Sequence, residues 1–352
     1  MIELPGVVRT DSGRRVEAAD IMIATGAAPL VPNLPGAAGA LLSDDIFHLA
    51  SLPESLAIVG GGYIATEFAC LLHRFGVAVT MFEVGDRLIA GFDHDVADRL
   101  ERALRAQGID IRLGTRIDAI DTTRSRATLT LDDGTTTRFD DVMLAVGRRP
   151  ATSGLGLAEL GVAQGADGAV EVEVDAWGEA SIPGIHAIGD AAGAMMLTPV
   201  AVRDGRRCID AIRGHRPDQP EDIVPTATFT TPECGSVGLT EAEASAAGIA
   251  FEVRSKAFSM LTAVLSNDPQ DVFMKAIVAR KDGRLLGIHF FGPHAGEAAQ
   301  MGAVALSAGL TEAELGRTMS LHPSTSEEVI GLGDPDMPIH GPAETAEALA
   351  AE

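Results

Sequence analysis

Residues 55–87, SLAIVGGGYIATEFACLLHRFGVAVTMFEVGDR, restrict the fold of this chain more than any other stretch. Five residues suited to a strand buried on both faces run into three glycines. Apolar side chains then recur at helical spacing through Ile64, Phe68, Leu71 and Leu72, and a second apolar run fills residues 77–82. Strand, glycine turn, amphipathic helix and strand make a βαβ unit, which predicts a parallel sheet flanked by helices. In the turn, Gly60, Gly62 and Ala65 match G-x-G-x-x-[GA]. The first glycine permits the tight turn, the second lets a pyrophosphate approach backbone N–H groups, and the small third residue lets helix and strand pack closely. Glu83 follows at the end of the second strand, where a carboxylate accepts hydrogen bonds from both ribose hydroxyls and repels a 2'-phosphate. The pattern predicts a dinucleotide site that prefers NAD(H) to NADP(H). Tyr63 and Glu67 lie one helical turn apart on the helix that starts at the pyrophosphate, within reach of whatever accepts the hydride.

Composition narrows the partners. A formal net charge of -23 repels nucleic acid and anionic lipid, so neither is expected as a partner and small-molecule or protein ligands are. No apolar run approaches the ~20 residues needed to span a bilayer, and the first residues, MIELPGVVRTDSGRR, carry no apolar signal core. The three cysteines, Cys70, Cys208 and Cys234, are too far apart for a C-x-x-C pair and too few for a disulfide scaffold or a zinc site. They read as reduced, packed thiols of a cytoplasmic protein without a metal centre.

Beyond the βαβ unit, IDIRLG reads as a strand, TLTLDDGTTTRF as a hairpin and DVMLAVG as a closing strand. GIHAIGD reads as a strand and LTPVAV as the start of a helix. TATFTT, VFMKAIVA and RLLGIHFFG read as short strands, with KDGR as a hairpin turn and helices from about Pro293 onward, an α+β layer. After Gly331 the tail lacks apolar residues for a core and is expected to be mobile.

Near the carboxyl end stands SLHPSTSEEVIGL. A Ser-Thr-Ser-Glu run opens a helix well, and a carboxylate there can hold an imidazole in one tautomer and support its charged form. His322 with Glu327 is a candidate proton-handling pair; taken alone, the same residues also read as a helix start beside a surface histidine.

Taken with IATG, SLAIVGGGYIATEFA, AVGRRP, GIHAIGDAAG, LTPVAV, PTATFTTPECGSVGLTEAEA and LHPSTSEE, the chain resembles the class I pyridine nucleotide-disulfide oxidoreductases, in the glutathione reductase and dihydrolipoamide dehydrogenase branch. The resemblance implies an α/β fold in which a Rossmann-like NAD-binding domain is inserted in an incomplete FAD-binding domain and followed by an α+β dimerisation domain. The implied division is a remnant of the FAD-binding domain at 1–50, the NAD(P)-binding domain at 51–149, the central FAD-binding part at 150–225, the dimerisation domain at 226–332 and a tail at 333–352. It implies FAD held by Thr25, Gly26, Gly189 and Asp190, with Asp190 on the ribityl chain and the free N–H groups around Leu197 and Thr198 pointing at the flavin. Pro199 suits that first helical turn. Gly147 of AVGRRP joins the nucleotide site. His322 becomes the acid and base of thiol–disulfide exchange across a homodimer interface, Glu327 its orienting partner, and Glu67 a further catalytic group.

Two features of the family are absent from these residues: a G-x-G-x-x-G for the FAD pyrophosphate and the C-x-x-x-x-C redox pair. The chain thus resembles a member truncated at its amino end by on the order of a hundred residues. LTPVAV and TAVLSNDPQDVFMKAIV resemble glutathione reductases more than dihydrolipoamide dehydrogenases. Glutathione reductases usually hold the 2'-phosphate of NADPH with arginines, where Val84 and Ala90 stand here; Arg87 is the nearby cation that can still reach a phosphate. The expected function is a FAD-dependent NAD(P)H:disulfide oxidoreductase resembling glutathione reductase, acting on a small-molecule or protein-bound disulfide. Alternatives are a dihydrolipoamide dehydrogenase-like enzyme and a catalytically silent nucleotide-binding and dimerisation remnant.

Overall fold

The computed structural model describes residues 1–123, 126–165, 171–193, 195–216, 223–259 and 271–332, and the backbone of Ile339–His340. By packing, the chain forms two units, Val31–Val146 with Asp222–Glu352, and Met1–Leu30 with Gly147–Glu221.

The larger unit contains the βαβ motif as expected. Asp141–Leu144, Ser55–Val59, Ala78–Phe82 and Asp110–Arg112 form, in that order, a four-stranded parallel sheet. Leu56, Ala57 and Ile58 have no exposed surface, as a strand covered on both faces requires. The helix Tyr63–Arg74 buries Ala65, Ala69, Cys70 and Leu72 against the sheet, while the helix His94–Gln107 buries Val96, Ala97, Leu100 and Leu104. Ile117–Asp121, Ala127–Leu131 and Thr136–Phe139 make an antiparallel meander that includes the expected hairpin.

In the same unit an antiparallel sheet runs Thr226–Thr228, Cys234–Gly238, Leu285–Phe291, Val272–Ala279, Phe251–Phe258 and Ile339–His340. The helix Ala295–Ser307 lies on it, burying Ala298, Ala299, Ala303 and Leu306 with Val237, Ile288 and Phe290. Asp282 and Gly283 close the turn between the two central strands, with Gly283 at φ 71°. Residues 262–270 of TAVLSNDPQ lie outside the described residues. So does most of the tail expected to be mobile; its described portion, Ile339–His340, pairs with Val253 and Arg254.

The smaller unit is built on a parallel pair, Ile21–Ile23 with Ile185–Ala187, and an antiparallel pair, Ala27–Pro29 with Arg148–Pro150. Three short strands, Ile2–Leu4, Val7–Arg9 and Arg15–Glu17, form a meander. Its core gathers Ile2, Ile23, Leu157, Val172 and Ile185, and the helix Thr198–Ile212 completes it.

Candidate functional site

The dinucleotide turn begins where the strand Ser55–Val59 ends. Gly60 has φ 119°, and a Cβ there would fall 2.2 Å from the Ala145 carbonyl oxygen, so only glycine fits. Gly62 caps the helix Tyr63–Arg74 in extended backbone, with open space where a side chain would stand. That leaves the free N–H groups of the first helical turn, which holds no acidic side chain, open to a pyrophosphate. Ala65 is fully buried, as the close contact of helix and sheet requires.

Glu83 leaves the second strand and folds back over the turn. Its Oε1 accepts the Gly85 N–H at 2.7 Å, and a Cβ on Gly61 would lie 2.8 Å from its Oε2. Gly61, at the variable second position of the motif, is where Glu83 packs; the middle glycine of the run was the signal. Val84 is 67% exposed beside it. Arg87 turns to the helix His94–Gln107, where its Nε donates to Asp98 Oδ1 at 2.8 Å. Tyr63 is exposed, and Glu67 Oε1 accepts the Phe229 N–H at 2.8 Å, which ties the pyrophosphate helix to the end of Thr226–Thr228. Gly147 belongs to the other unit, where its carbonyl accepts the Leu30 N–H at 2.9 Å.

In the smaller unit Gly26, Gly189, Asp190 and Thr198 line one cavity of about 380 Å³ with Ala24 and Met196. Gly189 has φ 56°, and a Cβ on it would sit 2.7 Å from that of Ala201, so this glycine sets the approach of the helix Thr198–Ile212. Leu197 is the residue before that helix, Thr198 its first residue, and Pro199 follows without an N–H to leave unpaired. Thr25 is exposed between two lining residues. Among the described residues the Asp190 carboxylate has no hydrogen-bond partner. A partnerless carboxylate, a helix amino terminus and a glycine wall fit a hydroxylated chain and an electron-rich ring, the parts of FAD that these residues would hold.

In the larger unit His322 Nδ1 lies 2.9 Å from Glu327 Oε2 and 3.1 Å from Oε1. Ser324 Oγ accepts the Glu327 N–H at 3.2 Å, and Glu327 Oε1 lies 3.4 Å from the Ser324 nitrogen, a capping box that opens the helix Thr325–Gly331. The imidazole is 72% exposed, and with Nδ1 engaged by Glu327 its Nε2 is the nitrogen left for proton transfer. Cys70, Cys208 and Cys234 are buried and free, and burial pushes all three thiols up, away from the thiolate. Among the described residues no group of three His, Cys, Asp or Glu side chains is arranged to hold a metal, and no helix is long and apolar enough to cross a membrane.

A βαβ glycine turn with a carboxylate folded against it, a glycine-walled cavity and an exposed His–Glu pair are the parts of a dinucleotide-linked oxidoreductase. Residues 3–205 match the pyridine nucleotide-disulphide oxidoreductase family, and residues 224–331 match its dimerisation domain. A glutathione reductase of Burkholderia cepacia is 38% identical over 92% of this chain and 72% of its own length. Dihydrolipoyl dehydrogenase 3 of Pseudomonas aeruginosa is 32% identical over 96% of this chain and 73% of its own. The structure of the HOCl-induced flavoprotein disulfide reductase RclA from Escherichia coli superposes with a TM-score of 0.86 at 29% identity, over 94% of this chain and 77% of that one. The chain belongs to the pyridine nucleotide-disulphide oxidoreductases of class I, the flavin-dependent disulfide oxidoreductases that include glutathione reductase and dihydrolipoamide dehydrogenase.

Proposed function

We propose that this chain serves an NADH-linked, FAD-dependent disulfide reductase of the glutathione reductase type, a cytoplasmic homodimer working on a small-molecule or protein-bound disulfide; the redox cysteine pair that the reaction needs is not among these residues. The observation that carries the nucleotide preference is the placement of Glu83 against the glycine turn, with Arg87 engaged by Asp98. A carboxylate there receives both ribose hydroxyls of NADH. Facing a 2'-phosphate, it loses two hydrogen bonds and gains repulsion, about 1.5–3 kcal/mol or roughly tenfold and upward in affinity.

FAD, when bound, supplies the two-electron relay between nicotinamide and disulfide. The residues of this chain do the rest. Gly60, Gly62 and the first turn of Tyr63–Arg74 bind the pyrophosphate; Tyr63 and Glu67 border the nicotinamide; Asp190 accepts from the flavin's hydroxylated chain, and the amino end of Thr198–Ile212 favours negative charge beside it. His322 holds a proton on Nε2 and delivers it to the thiolate that leaves when a disulfide is cleaved, while Glu327 keeps Nδ1 protonated. The dimerisation domain gives each His322 a partner subunit to serve, and the three buried free cysteines suit a reducing compartment.

Fluorescence titration of NADH and NADPH tests this reading. NADH binds at least about tenfold tighter in the wild type, and Glu83→Ala removes most of the difference. Equal affinities, or an unchanged ratio in the variant, would overturn it.

A further inference from the structure

Lys275 is 1% exposed in the centre of the antiparallel sheet, and its ammonium touches three carboxylates. Its Nζ lies 2.9 Å from Asp93 Oδ1, 2.7 Å from Asp95 Oδ2 and 2.6 Å from Glu241 Oε2. Burial pushes the ammonium toward its neutral form, but these carboxylates push harder the other way and it stays charged. The desolvation of a buried ion cluster offsets much of its Coulombic gain, so such a cluster is weak evidence for stability and a role in fixing geometry is the one to test.

The geometry fixed here leads to the nucleotide turn. Asp93 ends the loop that begins at Glu83; its Oδ1 also accepts the Asp95 N–H at 3.1 Å, capping the helix His94–Gln107, and its Oδ2 lies 3.3 Å from the Glu241 nitrogen. Midway, Ile89 has φ 41°, a conformation that a β-branched residue keeps only where its surroundings impose it. They do so through its N–H, which donates to the Gly61 carbonyl at 2.8 Å, and through the Phe92 N–H, which donates back to Ile89 at 2.8 Å. Leu88, fully buried, packs against Gly61. The loop is thus pinned at Glu83, at Ile89 and at Asp93, and the last pin is held by a strand of the dimerisation segment.

We propose that Lys275 is a positioning residue for nucleotide binding: through Asp93 and Asp95 it holds the 83–93 loop folded on the glycine turn, so that Glu83 meets the adenosine ribose without a further ordering cost. The inference rests on the reading of Glu83 above. A loop held in its binding shape spares the ligand the entropy of ordering it.

The test uses the full chain and two probes, ADP-ribose, which carries the adenosine ribose, and nicotinamide mononucleotide, which does not. In Lys275→Met, and in the milder Asp95→Asn should the first variant fail to fold, ADP-ribose affinity should drop roughly tenfold while that for the mononucleotide holds. Equal losses for both probes, or none for either in a variant with native circular dichroism, would show that the cluster is a structural staple only. Glu83→Ala is run in parallel. If it fails to weaken ADP-ribose, the Glu83 reading falls and the proposal with it; if it weakens ADP-ribose and Asp95→Asn does not, the positioning role alone is refuted.

Discussion

Glu327 serves two partners at once: its Oε2 lies 2.9 Å from His322 Nδ1, and its Oε1 lies 3.4 Å from the Ser324 nitrogen at the start of the last described helix. The capping and proton-handling readings of LHPSTSEE are therefore two uses of one carboxylate. Glu327→Gln keeps the capping box, which accepts glutamine as well as glutamate, whereas Glu327→Ala loses only its side-chain half, since the backbone N–H of residue 327 still donates to Ser324 Oγ. Only the charged carboxylate stabilises an imidazolium. Nitrogen NMR on His322 is expected to find the neutral ring protonated at Nδ1 in the wild type and predominantly at Nε2 in Glu327→Ala. The same tautomer in both proteins would mean that Glu327 acts as a cap alone.

Gly189→Ala should loosen the cavity proposed to hold the flavin. The new methyl would stand 2.7 Å from Ala201 Cβ at a residue with φ 56°, so overpacking and backbone strain add to about 2–4 kcal/mol. The helix Thr198–Ile212 must move outward, taking its amino end from the cavity. Titration of the refolded variant with FAD is expected to show weaker binding than the wild type alongside a lower melting temperature. A variant that melts lower but binds FAD equally well would detach Gly189 from the flavin.

His289 should set a step in stability in mild acid. Its Nε2–H donates to the Leu239 carbonyl at 3.0 Å, which leaves Nδ1 to accept the Ser236 hydroxyl at 2.8 Å, so the ring is neutral. Burial pushes its proton affinity below the usual 6.5, against the pull of Asp93. The unfolded chain then binds the proton more readily than the folded one. The stability from this group is complete above about 6.5 and is lost as pH falls toward the lower folded value. Asp93 adds no loss in that window: burial raises its carboxyl, but the Lys275 ammonium, by its charge and its hydrogen bond, helps to hold it below the usual 3.8, and its share persists until pH drops below that value. Melting temperatures from pH 8 to 5 should fall in acid for the wild type and fall less for His289→Gln. Parallel curves would contradict the assignment.

Legibility in the sequence followed the locality of the signal. The glycine turn, the hairpin through residues 128–139 and the helix start at Ser324 are set by neighbours within a few residues, and the structure contains all three. The helix His94–Gln107 went unassigned although Asp93 and Gly108 cap its ends, because its charged face outweighs a narrow apolar stripe. The three strands before residue 18 are too short to show alternation. Lys275 could not be read at all: a lysine inside VFMKAIVA looks like a surface residue until Asp93, Asp95 and Glu241, distant in sequence, are seen to surround it. Arg87 reads in the sequence as a cation that can still reach a phosphate, and its engagement by Asp98 is visible only once the two are folded together.

The central claim is that His322 is the acid of a disulfide reductase, and a mixed dimer tests it most directly. This chain is combined with a glutathione reductase whose own terminal histidine has been replaced, so that His322 faces an intact redox disulfide across the interface. A positioned acid–base group typically contributes about 100-fold or more in rate, so a minority of mixed dimers should restore measurable NAD(P)H-dependent disulfide reduction. Recovery should vanish with His322→Ala and weaken with Glu327→Ala. Mixed dimers demonstrated by mass that restore no activity would contradict the account and leave His322 as a residue beside a helix cap.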